Sequence, residues 1–165
     1  MKYVALDFET ANNNRNSACA IGIVRVENGV IVNKVVHLIR PPTSEFLYTH
    51  VHGLTWNDVK DAKTFGQIWP ELAPLFNGVE FVAAHNASFD KSVLSSCLST
   101  AGLFAPTVAF RCTLKEAKMK WVLPAYKLSD VCKHLGIELN HHEALSDALG
   151  CAKIILVLES LRQAK

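Results

Sequence analysis
An α/β fold, a mixed five-stranded sheet flanked by helices, is what this chain of 165 residues predicts. Three observations carry the prediction. Apolar, β-branched runs crowd the start of the chain and meet at Asn28-Gly29, a pair that favours the tight turn of a hairpin. Beyond the paired Pro41-Pro42, helix-like and strand-like segments alternate. Half of the residues are apolar and 19% are charged, the balance of a chain that closes around a core.

Taken in order, residues 2–8 read as a first strand. "ACAIGIVRVENG" is a second and "VIVNKVVHLI" a third, so the chain begins as an antiparallel meander. "RPPTSEF" breaks the regularity, and "YTHVHGLTWNDV" continues as a long loop. Thr64 and Gln67 have capping-box spacing and open the helix "TFGQIWPELAPLF", which Pro70 bends. "EFVAAH" is a short apolar run of the kind covered on both faces of a sheet. "ASFDKSVLSSCLSTAG" is a helix that stops at Gly102. "TVAFRCT" is a fifth strand, two helical stretches surround Pro124, and a last helix runs from about Ala144 to Arg162. No internal repeat or low-complexity tract interrupts the series, and residues 1–165 are expected to form one domain.

The formal net charge of +2 is too small to argue for or against a polyanionic partner. Five cysteines, Cys19, Cys97, Cys112, Cys132 and Cys151, are odd in number, spread out and without a C-x-x-C pair. That speaks against a disulfide framework or a thiolate zinc site, and for a reducing compartment. "MKYVALDFE" reaches an acid at its seventh residue, too early for the apolar stretch of a signal peptide. No segment approaches the roughly 20 apolar residues that cross a bilayer. A soluble, cytoplasmic protein with no membrane partner is the expectation.

Chemistry concentrates where the predicted elements end. In "YVALDFETAN" the alternation of a strand sends Asp7 and Glu9 to one face and Leu6 and Phe8 to the other. Two carboxylates forced together repel, and are costly to desolvate unless a cation lies between them or one keeps a proton. Asp90 in "HNASFD" falls in the first turn of its helix, where the dipole favours an anion. Asp147 in "HHEALSD" lies near the start of the last helix. The ends of sheet strands are also where open sheets take ligands. If these segments are neighbours, Asp7, Glu9, Asp90 and Asp147 meet, and two divalent cations would neutralise them. All-oxygen ligation without thiolate suits Mg²⁺ or Mn²⁺ rather than zinc. Two such ions about 3.5–4 Å apart activate a water and stabilise the leaving oxygen of a phosphodiester.

That water needs a base. His142 precedes Asp147 by five residues, about 140° away round a continuous helix, so it belongs on the loop ahead of that helix. A neutral imidazole there suits a general base. His141 competes for the role, and Glu143 is a second candidate ligand.

The pattern of these residues resembles a known family. D-x-E-T at Asp7–Thr10, H-N-x-x-F-D at His85–Asp90 and H-x-x-x-x-D at His142–Asp147 are similar to the three motifs of the DEDD exonuclease superfamily, in its histidine (DnaQ-like) branch. "HVHGLT" resembles a loop motif of the same group, and the likeness spans Val4 to about Cys151. It implies a ribonuclease-H-like fold and metal-dependent hydrolysis of a nucleic acid from a free 3′ end, releasing nucleoside 5′-monophosphates. Single-stranded DNA is the expected substrate, with RNA left open. Asp7, Glu9, Asp90 and Asp147 match the metal-binding positions of the family, and His142 its general base. Thr10 and Phe89 match positions that hold the terminal nucleotide. Many members follow the first motif with Thr-Gly, whereas this chain continues "TANNNRNSA", which alters the terminal-nucleotide pocket. The chain also stops after its last helix, without the extension by which the proofreading members contact a polymerase partner, so a stand-alone enzyme is expected. The competing class is a nucleic-acid-binding domain that keeps the fold without the chemistry.

Several other residues carry two readings. His52 shares a face with His50 if "THVH" is extended, and meets either a substrate phosphate or a zinc ion. His85 finishes a buried strand with its ring hydrogen-bonded. Phe89 stacks on a terminal base or packs in the core. Lys115, Lys118, Lys120 and Lys127 interleave with Trp121 and Tyr126, either as a track for a single strand or as a solvated face over two core aromatics. "IILVL" at 154–158 is apolar on more than one side, as core or as the interface of a homodimer.

Overall fold
The computed structural model describes residues 1–163. Five strands, β1 (Lys2–Thr10), β2 (Ala18–Glu27), β3 (Val30–Leu38), β4 (Phe81–Ala84) and β5 (Ala109–Cys112), form one sheet in the order β3-β2-β1-β4-β5. The meander β1-β2-β3 is antiparallel, and β1, β4 and β5 run parallel to one another. Asn28 and Gly29 turn β2 into β3 with φ of +52° and +82°, the left-handed pair that a two-residue hairpin requires. The helices are α1 (Thr49–His52), α2 (Trp56–Val59), α3 (Phe65–Leu72), α4 (Ala87–Thr100), α5 (Thr113–Lys120), α6 (Leu128–Leu135) and α7 (Ala144–Gln163).

Side chains of β1 alternate between two cores. Val4, Leu6 and Phe8 join Ile21, Ile23, Phe65, Ile68, Val93 and Leu94 on the face of α3 and α4. Tyr3 and Ala5 join Val24, Val26, Val131, Cys151, Ile154 and Ile155 on the face of α6 and α7. Ile154 and Ile155 are fully buried there and Leu158 is nearly so, which makes the apolar run of α7 core.

Three boundaries differ from expectation. β1 continues through both acids to Thr10, because β2 pairs with it as far as Ala18 across a bulge between Glu9 and Thr10. The long loop after the prolines holds two single helical turns, α1 closed by Gly53 at φ +80° and α2 opened by a Thr55–Asp58 capping box. The helix capped by Thr64 and Gln67 ends at Leu72, two residues past Pro70, and tightens into a 3₁₀ turn over Ala73–Phe76. No helix among the described residues is long and apolar enough to cross a membrane.

Candidate active site
Asp7 and Glu9 continue the series of Tyr3 and Ala5, on the side of the sheet covered by α7. A glycine lets α7 reach them. Gly22 stands opposite Asp7 in the β1–β2 ladder, and a Cβ on it would lie 2.2 Å from the carbonyl oxygen of Ala144. The absent side chain allows the first residue of α7 to settle directly on β2. Asp147, in the first turn of that helix, then comes down beside the strand acids. Carboxylate oxygens of Asp7, Glu9 and Asp147 all lie within 4.8 Å of one another.

Asp90 arrives from the other side. Asn86 takes a left-handed backbone, φ +69°, between β4 and α4, and the first turn of α4 carries Asp90 back beneath β1. Pairing of β4 with β1 stops at Ala5, and further along the Phe8 N–H donates to Asp90 Oδ1 at 3.2 Å. Of the four expected ligands, three therefore share one oxygen cluster, and Asp90 stands next to it.

Like charges in a desolvated place raise one another's affinity for protons. Burial holds Asp7 well above the usual carboxylate range, with Asp90, Asp147 and Glu9 adding repulsion. Burial and the neighbouring Asp147 push Glu9 up to about 8. Burial likewise pushes Asp90 up to about 8, against the opposing hydrogen bond from Phe8.

His141 and His142 occupy the turn before α7, with their rings stacked at 3.8 Å. His141 Nδ1 lies 3.0 Å from Asp147 Oδ2 and 3.2 Å from Oδ1. The backbone N–H of His142 donates to the same Oδ2 at 3.2 Å, while a φ of +68° leaves its ring exposed. Partial burial and the adjacent His141 lower the His142 imidazole from its ordinary value, which favours the neutral ring. Ring nitrogens of both histidines and a carboxylate oxygen of Asp147 also lie within 4.8 Å of one another. Glu143 points elsewhere: it is exposed, and its Oε2 accepts from Asn140 Nδ2 at 2.6 Å.

A cavity of about 310 Å³ opens beside the acids, lined by Phe8, Glu9, Thr10, Tyr48, Val51, His52 and Phe89. It brings together Thr10, His52 and Phe89, three residues expected at the substrate. Tyr48 and Val51 are wall residues that sequence reasoning missed; the signal was Gly53, a helix-ending residue just after "THVH". His52 Nε2–H donates to the Thr10 carbonyl at 3.1 Å, and its Nδ1 accepts the Leu54 N–H at 3.1 Å. Burial keeps that ring neutral. With both nitrogens engaged by backbone, His52 is held in the cavity wall. His50 turns to the Leu47 carbonyl at 3.1 Å and does not share a site with His52.

His85 is hydrogen-bonded through both ring nitrogens, to Thr113 Oγ1 at 2.9 Å and the Tyr126 carbonyl at 2.8 Å. The Tyr126 hydroxyl donates to the Trp121 carbonyl at 2.8 Å and accepts the Leu123 N–H at 3.1 Å. Trp121 and Tyr126 thus pack against the α7 core, while Lys115, Lys118, Lys120 and Lys127 around them are exposed.

Comparison with known proteins agrees with this geometry. Residues 4–155 match the protein family described as Exonuclease. The chain is 31% identical over 147 residues to exodeoxyribonuclease 10 of Escherichia coli K12, covering 82% of this chain and 59% of that protein. It is 30% identical over 167 residues to the PolC-type DNA polymerase III of Clostridium perfringens, covering 93% of this chain and 11% of the polymerase. The chain therefore spans only about a tenth of the length of these polymerase relatives. Among solved structures, exonuclease X in complex with 5′ overhanging duplex DNA superimposes with a TM-score of 0.78 at 26% identity, covering 96% of this chain and 92% of that one. Escherichia coli exonuclease I with a dT13 oligonucleotide shares the fold, with a TM-score of 0.81 at 14% identity over 96% of this chain and 41% of that one.

Proposed function
The chain belongs to the exonuclease family, and from that premise we propose that it is a 3′–5′ exonuclease dependent on two divalent ions, Mg²⁺ or Mn²⁺, acting on single-stranded DNA. The observation that carries the proposal is the cluster of Asp7, Glu9 and Asp147 with Asp90 beside it. An all-oxygen donor set in which burial raises the proton affinity of Asp7, Glu9 and Asp90 fits a hard divalent ion that would replace those protons. Asp7, Glu9 and Asp147 would hold one, with Asp90 adjoining for a second. Bound there, the ions supply an activated water and charge stabilisation for the departing 3′ oxygen.

The chain's own residues do the rest. His142, whose surroundings favour the neutral ring, takes a proton from the attacking water at a ring nitrogen. His141 and the His142 N–H hold Asp147 in place. Phe89, Tyr48 and Val51 offer apolar surface to the terminal nucleoside, and Thr10 lines the same cavity next to Glu9 in the chain. DNA as the substrate is supported by a relative named an exodeoxyribonuclease and by the DNA complex of exonuclease X. Residues 1–165 act as one exonuclease domain in this reading, with a cytoplasmic location.

5′-labelled single-stranded DNA incubated with Mg²⁺ is expected to shorten from its 3′ end, releasing nucleoside 5′-monophosphates, and to be spared when EDTA is present. Circular single-stranded DNA should remain whole. Asp7→Asn and Asp147→Asn should lose hydrolysis while keeping the circular dichroism of the wild type. Cleavage of circles, or near-wild-type rates in either variant, would sink the proposal.

A further inference from the structure
The segment "TANNNRNSA" does more than join β1 to β2. Its backbone is fixed by an internal polar network. Ser17, fully buried, has its Oγ 2.7 Å from the Asn14 carbonyl and 3.1 Å from that of Asn12, and accepts the Asn12 N–H at 3.2 Å. The Asn14 N–H donates to Asn12 Oδ1 at 2.9 Å, and Asn12 Nδ2 to the Glu45 carbonyl at 3.0 Å. Outward ties complete the frame: Asn13 meets the Tyr48 hydroxyl, and Asn16 Nδ2 donates to Thr100 Oγ1 at 3.2 Å.

What this frame displays is Arg15. Its side chain is exposed, and its guanidinium carbon lies 4.6 Å from the centre of the Phe89 ring, the aromatic wall of the cavity. Among the described residues no carboxylate forms an ion pair with it. A guanidinium laid on an aromatic face keeps its edge free, and that edge is a fork of donors suited to a phosphate. The bond to be cut belongs over the buried acids, whereas Arg15 is exposed beside the Phe89 wall, open to a phosphate further along the strand. We infer that Arg15 binds the phosphodiester one nucleotide upstream of the scissile bond, an assignment that rests on the exonuclease reading.

The test compares two substrates in Mg²⁺: a short single-stranded oligodeoxynucleotide, and the p-nitrophenyl ester of thymidine 5′-monophosphate, which has a scissile phosphate and no upstream one. In Arg15→Ala the loss of kcat/KM on the oligonucleotide should exceed the loss on the ester by about tenfold, chiefly through KM. The slope of log KM against log salt should flatten by about 0.7, the share of one phosphate contact on a single strand. Arg15→Lys, which keeps the charge without the fork, should restore that slope. Equal losses on both substrates, or an unchanged salt slope, overturn the assignment while hydrolysis by the wild type leaves the exonuclease reading standing. A wild type that hydrolyses neither substrate with Mg²⁺ or Mn²⁺ overturns both.

Discussion

Gly22→Ala tests whether the close seat of α7 on β2 assembles the acid cluster. An added Cβ would lie 2.2 Å from the Ala144 oxygen, 2.3 Å from its carbonyl carbon and 2.5 Å from the Leu145 nitrogen, where ordinary contact begins at 3.4 Å. All three atoms are backbone, so no side-chain rotation relieves the clash, and the start of α7 must lift by about 1 Å. Overpacking of this kind costs about 1–3 kcal/mol, which in a chain of 165 residues lowers the melting temperature by about 2–12 °C. The larger effect falls on chemistry. Asp147 moves with the helix away from Asp7 and Glu9, and a displacement of about 1 Å at reacting groups costs about a hundredfold in rate. Initial rates on single-stranded DNA across a Mg²⁺ titration, beside a calorimetric melt, read both quantities. A variant that melts and hydrolyses like the wild type would refute the reasoning. A variant with the expected loss of stability but full activity would refute the part that concerns Asp147.

Two further outcomes follow from the charges. Without a divalent ion, folded Glu9 and Asp90 keep protons up to about pH 8, while in the unfolded chain they release them near their ordinary values of 4.5 and 3.8. The folded state then binds more protons between those limits, so its stability falls as pH rises, by up to about 1.4 kcal/mol per pH unit for each group. Mg²⁺ should accordingly raise the melting temperature more at about pH 8 than at about pH 5.5, and an equal shift at both would contradict the buried-acid account. In catalysis, the wild-type rate should climb with pH through a value below the usual imidazole range and then level off, since only neutral His142 accepts a proton. His142→Ala should lose about 10²–10⁴-fold together with that limb, whereas His141→Ala should keep the limb and need about 10–100 times more Mg²⁺. An unchanged pH profile in His142→Ala would move the base elsewhere.

Long, patterned elements were legible in the sequence. The Asn28-Gly29 hairpin, the meander, β4 and α7 follow from local signals, and the structure has them in order. The acids were legible too, because strand alternation alone puts Asp7 and Glu9 on one side. Less was visible where the controlling neighbour is distant in the chain. Nothing near Gly22 announces that Ala144 will press on it. A helix of four residues, such as α1, is too short to show a period, so Tyr48 and Val51 read as loop. His52 looked free because its partners are backbone groups, at Thr10 and Leu54, which no side-chain pattern reveals. The lysines around Trp121 left a nucleic-acid track and a solvated face equally open; the inward bonds of the Tyr126 hydroxyl to Trp121 and Leu123, which fix that aromatic, are invisible to composition.

The cluster also fixes when, during synthesis, the proposed exonuclease could first become active. Two of its members come from the first strand, at positions 7 and 9, and the third from position 147, on a helix that must lie across strands made long before it. A chain still being synthesised, or broken off anywhere before that helix, lacks Asp147 and with it the cluster of three. If the proposed exonuclease activity needs all of these acids, the order of translation acts as a safety catch that keeps incomplete products inert.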